Sequence, residues 1–290
     1  MSSLQFLSYF DKDSNTFSYL VWESASRAAV VFDPVLNFDP ASGRTSNAAV
    51  ERIMQDIQAQ QLQLHYILET HVHADHLSGA AALKALCGGQ VPVGIGEQIC
   101  RVQQVFGALF ALPTQADGKP FDLLLGDGAT LPLGDATIRV LHTPGHTPAC
   151  VSYLLGDLLF VGDTLFMPDY GTARCDFPGG DAATLYRSIQ KLFALPDNTR
   201  MLMCHDYGAP GRPDVANETS VGAQKSQNIH VGQGRMEADF VTLRTTRDAT
   251  LSMPKLLLPS VQVNMRAGEL PDAEANGIGI RYLKLPLNQF

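Results

Sequence analysis

The chain has 290 residues, of which 45% are hydrophobic and 17% charged, which is ordinary usage for a globular protein with a large core. A net charge of −8 argues against a surface built to hold a phosphate backbone, so nucleic acid is not an expected partner. The five cysteines are scattered and form no CxxC pair, which excludes a disulfide framework and fits a reducing cytosol. The opening MSSLQFLSYF lacks a basic segment followed by a long apolar run, and no apolar stretch approaches the ~18 residues of a membrane helix. A cytoplasmic protein without a membrane partner is expected.

The chain begins with strands. LQFLSYF and FSYLVWE flank the polar cluster DKDSNT, and AAVVFDP follows, stopped by Pro34. Over residues 46–61 the period changes, because Val50, Ile53, Met54 and Ile57 fall on one helical face. LHYILET returns to strand, and LSGAAALKALCGG reads as a helix closed by glycine. VPVGIG is a short strand and residues 97–106 a helix. After PTQADGKP comes a second β-rich block with FDLLLGDGATLPLG, ATIRVLHTPGH and CVSYLLGDLLFVGDTLF. Residues 181–194 form an amphipathic helix capped by Asp181, and RMLMCHDYG is a strand with a polar tip. Strand-rich runs carrying helices occur twice, which suits two sheets packed face to face with helices outside. The tail, 208–290, is polar and loop-rich, with a helix near EADFVTLRTTRDATL and no linker to make it independent.

The unusual residues gather where strands spill into loops. His71, His73, Asp75 and His76 lie within six residues of THVHADHLSGA. His146 sits in HTPGH, Asp163 in FVGDTLF and His205 in MCHDYG, each beside glycine, proline or aspartate. Such positions converge at one edge of a rigid sheet. Imidazoles and a carboxylate suit zinc or iron rather than calcium or magnesium, and the finger-like cysteine spacing of a structural zinc is absent. His65, His142 and His230 are read as non-ligands.

The order His71-Val-His73-Ala-Asp75-His76, His146, Asp163, His205 resembles the ligand order of the metallo-β-lactamase superfamily over most of residues 1–210. The resemblance implies an α/β fold, an αββα sandwich of two mixed sheets with helices on the outer faces. It also implies one such domain over 1–290, with 208–290 as an extension packed on it. THVHADHLSGA, LHTPGHTPACVSYLL, GDTLF, ARCDFPGGDAATLYRSI and CHDYG are most similar to the persulfide dioxygenases, also called sulfur dioxygenases or ethylmalonic-encephalopathy-type proteins. Ala173 and Cys175 depart from that family's usual Gly and Thr, and suggest a bacterial, β-lactamase-like subgroup.

What the resemblance implies is one Fe(II) per chain on His71, His146 and Asp163. Two histidines and a carboxylate leave about three positions open on iron, for a persulfide sulfur and O₂. His73, Asp75, His76 and His205 would then surround the iron and orient its ligands through hydrogen bonds. Expected partners are glutathione persulfide and O₂, with sulfite and glutathione as products; a homodimer is left open. The same superfamily set can instead hold two zinc ions, His71, His73 and His146 on one, Asp75, His76 and His205 on the other, Asp163 bridging. That arrangement makes a hydrolase of the glyoxalase II or lactonase type. For the glutathione carboxylates, Arg174 is the first candidate, with pairing to Asp176 an equal alternative. Tyr207 is a further candidate to hydrogen-bond substrate or Asp176, and Lys225, Arg235 and Arg266 are weaker ones. Cys175 and Cys204 read as buried thiols, a sulfur-trapping role for Cys175 being the alternative.

Overall fold

The computed structural model describes residues 3–112, 115–274 and 278–289. Its strands and helices in chain order are β1 (Leu4–Asp11), β2 (Thr16–Glu23), β3 (Ala28–Phe32), β4 (Val35–Asp39), β5 (Arg44–Ser46), α1 (Ala48–Ala59), β6 (Gln63–Leu68), β7 (Leu77–Ser78) and α2 (Ala80–Leu86). Then come β8 (Val93–Gly96), α3 (Ile99–Leu109), β9 (Leu123–Leu125), β10 (Thr130–Leu133), β11 (Ala136–His142), β12 (Val151–Leu155) and β13 (Leu158–Phe160). After a 3₁₀ turn at Gly162–Thr164 follow α4 (Ala182–Phe193), β14 (Arg200–Leu202), β15 (Glu218–Ser220), α5 (Val221–Gln227), α6 (Glu237–Asp248) and α7 (Leu257–Asn264).

Two six-stranded mixed sheets form the centre, one ordered β1-β2-β3-β6-β8-β9 and the other β10-β11-β12-β13-β14-β15. The period-two pattern of β2 explains how they face. Phe17, Tyr19 and Val21 point into the apolar layer between the sheets, while Leu20 and Trp22 point to the helix side. Across the middle layer Phe32 stacks on Phe160 at 4.1 Å between ring centroids. The outer layers are filled from α1, α3 and α7 on one side and from α4 and α6 on the other. The result is the αββα sandwich expected.

The expected helices and main strands are present, and Asp181 accepts the amide of Thr184 as the cap of α4. Several elements differ from the sequence reading, β15, α5 and α7 of the tail among them. The FDLLLGDGATLPLG run divides, because β9 closes the first sheet beside β8 while β10 opens the second. Residues 35–46, unassigned by periodicity, form the β4–β5 hairpin, and β7 pairs with β4. That hairpin was hidden because its exposed residues follow no apolar alternation. From the tail, α7 places Leu257, Val261 and Met265 in the same core as Leu20 and Ile67. Among the described residues no helix is long and apolar enough to cross a membrane.

Candidate metal centre

Each candidate ligand sits at the end of a strand on one edge of the sandwich. His71, His73, Asp75 and His76 occupy the loop between β6 and β7; His146 lies between β11 and β12; Asp163 is in the 3₁₀ turn after β13; and His205 follows β14. Two glycines allow the approach. Gly145 has φ +137°, and a Cβ there would overlap the backbone of Leu185 in α4. Gly162 has φ +53° and its Cα faces the Thr70 side chain, which brings Asp163 in beside the histidine loop.

His71, His146 and Asp163 converge. Oδ2 of Asp163 lies 3.8 Å from Nε2 of His71 and 3.6 Å from Nε2 of His146. Hydrogen bonds on the far ring nitrogens fix which nitrogen faces inward. Nδ1 of His146 donates to the carbonyl of Arg174 at 2.7 Å. Nδ1 of His71 lies 3.0 Å from Oγ1 of Thr70, whose hydroxyl donates to Asp33 at 3.0 Å. Both Nε2 atoms are thus left as bare acceptors, the form that ligates a cation. Burial, and then the positive neighbourhood of the other histidines, hold His71 well below its ordinary value and keep it neutral.

The remaining four residues enclose this triad. His205 presents Nε2 to Oδ1 of Asp163 at 3.2 Å and Nδ1 to Asp75 at 3.4 Å. Asp75 also faces Nδ1 of His76 at 3.4 Å. Burial opposes its charge, yet His205 and His76 hold Asp75 far below the usual carboxylate range. Nδ1 of His73, Nε2 of His76, Nε2 of His205 and Oδ1 of Asp163 are buried without a hydrogen-bond partner. Leaving such atoms unpaired costs about 1–3 kcal/mol each, a cost that a cation among them removes. The donor set of imidazoles and carboxylates therefore fits iron or zinc.

Two residues of the site were missed from sequence. Asp33, at the turn after β3, accepts from the amide of Thr70 at 2.7 Å and from Nε2 of His73 at 3.0 Å. Glu69 lies 3.4 Å from the same nitrogen and accepts the Ser78 hydroxyl. Against the cost of burial, these carboxylates push His73 well above its ordinary value and direct its Nδ1 into the site. FDP did show an aspartate at a strand end, the same signal that marked Asp163, but no local histidine drew attention to it.

Arg174 lines the site cavity but is already engaged. Its Nε and Nη2 donate to the two oxygens of Asp176 at 2.6 Å each, and Nη1 donates to the Ser252 carbonyl at 2.7 Å. The pairing with Asp176 is the arrangement found. Tyr207 stacks on His205, 5.7 Å between centroids, and lines the same cavity; among the described residues it makes no hydrogen bond to Asp176. Lys225, Arg235 and Arg266 do not line the cavity: Lys225 pairs with Asp197 and Arg266 with Asp272, while Arg235 lies beside Ile229 and Tyr186. Burial pushes the thiols of Cys175 and Cys204 up, so both rest as protonated, unreactive groups. His142 donates from Nε2 to the Pro148 carbonyl at 3.0 Å, His230 accepts the Thr172 amide, and His65 is exposed on β6; none joins the cluster.

The tail completes the site. Nδ2 of Asn264 donates to the carbonyls of His73 and His76 at 2.8 and 2.7 Å. Arg244 of α6, only 1% exposed, donates to the Thr172 carbonyl at 3.0 Å and pairs with Asp248. Asp248 accepts the amide of Cys175 at 2.9 Å. A cavity of about 1040 Å³ opens over Asp75, His146 and Asp163, walled by Phe166, Tyr170, Phe177 and Tyr207 and reaching the β4–β5 hairpin and residues 247–256.

Residues 11–205 match the Metallo-beta-lactamase superfamily. The chain is 52% identical over 292 residues to a probable metallo-hydrolase of Burkholderia pseudomallei strain 1710b, covering 97% of this chain and 98% of that one. It is 35% identical over 262 residues to the human mitochondrial persulfide dioxygenase ETHE1, covering 89% and 87%. The crystal structure of ETHE1 from Myxococcus xanthus superposes with a TM-score of 0.73 at 31% identity, covering 91% of this chain and all of that one, 100%. The chain belongs to the metallo-beta-lactamase superfamily and is a homologue of the ETHE1 persulfide dioxygenases.

Proposed function

We propose that the chain is a mononuclear Fe(II) persulfide dioxygenase, with the metal held by His71, His146 and Asp163 and with glutathione persulfide and O₂ as substrates. The reaction balances as RSSH + O₂ + H₂O → RSH + H₂SO₃. The S–S bond breaks, the outer sulfur loses four electrons to O₂, and the carrier leaves as a thiol. The observation that carries this reading is the convergence of both Nε2 atoms on one oxygen of Asp163, while His205 lies between the other oxygen of Asp163 and Asp75. Relatedness to ETHE1 proteins over most of the chain supports it. Bound iron would supply open positions where sulfur and O₂ meet.

The chain's own residues do the rest. His205 places Nε2 3.2 Å from the far oxygen of Asp163 and closes the site on the side away from the histidine pair. Asp33 and Glu69 hold His73 by its outer nitrogen. Phe166, Tyr170, Phe177 and Tyr207 keep the walls around the reacting sulfur apolar and exclude water from it. Arg174 fixes the carbonyl that holds His146 by anchoring its own loop to Asp176 and Ser252. Residues 208–290 act as an extension of the same unit, since α6 and α7 hold the site loops.

A second reading is a two-zinc hydrolase. It is favoured by the unpartnered Nε2 atoms of His76 and His205 and by the relative named as a metallo-hydrolase. Metal analysis of protein from its own host separates the two. About one iron per chain is expected under the first reading, and two zinc per chain with no Fe(II)-restored activity under the second. His205→Ala should keep iron near normal while lowering turnover; matched loss of metal and turnover would favour the hydrolase.

A further inference from the structure

The outer half of the cavity carries cations that the chain does not neutralise. Arg44 of β5, Arg247 in the last turn of α6 and Lys255 before α7 all line it, and none has a carboxylate partner among the described residues. This is unlike Lys84, Lys191, Arg200, Arg212 and Lys225, each of which sits against an acidic side chain. It is also unlike the two arginines deeper in the same cavity, Arg174 and Arg244, which are paired with Asp176 and Asp248. The one acid placed to serve Arg44 is its cross-strand neighbour Asp39, and that carboxylate is taken by the turn, accepting Ala41 N and Ser42 Oγ. Asp13 is the other carboxylate on the outer lining. In a chain of net charge −8, three free cations on one cavity rim are a local reversal of sign.

Two further features make the rim a built surface. The β4–β5 hairpin is fixed at its base, where Asn37 accepts the amide of Ala49. The segment that leads to Lys255 is fixed by Arg174, whose guanidinium donates to the Ser252 carbonyl. The cations are thus presented from two anchored segments that line the same cavity as Asp75, His146 and Asp163.

We infer that Arg44, Arg247 and Lys255 form an anion-recognising rim that binds the carboxylate or phosphate groups of the thiol carrier, remote from the sulfur, and so set carrier specificity. The inference rests on the reading of the site as one that takes a thiol-borne sulfur, but not on the number of metals or on O₂. Arg174, committed to Asp176, serves the loop and leaves the carrier's charges to the rim. The shared chemistry is an anion on a flexible arm. A tripeptide thiol would offer two carboxylates, a nucleotide thiol several phosphates, and either arm can lie along the apolar walls with its charge outward.

The test uses unreactive probes and the whole chain. Binding of S-methylglutathione, S-methyl-coenzyme A and S-methylcysteine is measured by calorimetry, anaerobically, for the wild type and for Arg44→Ala, Arg247→Ala and Lys255→Ala. Lys119→Ala, whose side chain is 84% exposed and does not line the cavity, is the control. The three rim side chains are solvent-facing, so melting temperatures should stay with the wild type. At least one of the two long probes should bind, and each rim substitution should raise its Kd about three- to tenfold, with binding weakened by salt. Preference for the glutathione probe assigns carboxylates to the rim, and preference for the coenzyme A probe assigns phosphates. S-methylcysteine, too short to span the cavity, should bind weakly and equally in all variants. Unchanged affinity in all three variants, or failure of both long probes to bind, overturns the inference. Because no turnover is read, a loss of the dioxygenase reading leaves this result interpretable, and the reverse also holds.

Discussion

The carbonyl oxygen of Arg174 lies 2.7 Å from Nδ1 of His146, so one candidate ligand is aimed by a backbone atom of the loop that also carries Cys175 and Asp176. That loop has little regular structure of its own. It is held from the tail, through Arg244 on the Thr172 carbonyl and Asp248 on the Cys175 amide. The C-terminal region therefore reaches the candidate metal centre through two hydrogen-bonded steps.

Arg244→Met should expose this chain of support. It removes the partner of a buried carboxylate and leaves the Thr172 carbonyl unpaired, a change that costs about 3–5 kcal/mol. Iron should also be held more weakly, because the Arg174 carbonyl drifts from His146. Melting curves and metal content together check this. A variant with normal melting and full iron would show that the loop stands without the Arg244–Asp248 pair.

Asp33→Asn keeps the shape of the side chain but takes away the charge that accepts the Thr70 hydroxyl behind His71, a ligand of the proposed iron. Residues that orient metal ligands in this way typically contribute 10–100-fold in affinity, and a loss of about that size is expected in competition with a chelator. His65→Gln, on the exposed face of β6, should change nothing. Equal iron retention by the two variants would remove Asp33 from the site.

His230 should make part of the stability acid-sensitive. Burial, reinforced by Arg244, Arg247 and Arg235, pushes it down to about 4, whereas in the unfolded chain it titrates near 6.5. Between those values the unfolded chain binds a proton that the folded chain does not. Its contribution is therefore full above about pH 6.5, falls as the pH drops toward 4, and changes no further below both values. His230→Asn, which can still accept from the Thr172 amide, should flatten the pH dependence of melting in that window. An unchanged slope would assign the acid sensitivity to other groups.

The parts legible in the sequence were those written in local patterns. HxHxDH marks its own loop, and Asp163 and His205 stand out because each ends an apolar run. The α4 helix was visible from its apolar face and its Asp181 cap. What stayed hidden depends on contacts across long stretches of chain. Asp33 meets His73 forty residues away, and Asn264 meets His76 across 188. The β4–β5 hairpin has no apolar alternation to announce it, and the free state of Arg44 follows only from where Asp39 turns. For Arg174, sequence left two roles level, and the bidentate pair with Asp176 is what the fold builds.

The most direct test of the proposed activity is oxygen uptake by iron-loaded protein given glutathione persulfide generated in place. Oxygen should be consumed in step with sulfite, about one for one, and Asp163→Asn should abolish both along with bound iron. Rapid hydrolysis of S-lactoylglutathione or a lactone, with no oxygen drawn by the persulfide, would contradict the dioxygenase assignment and make the chain a hydrolase.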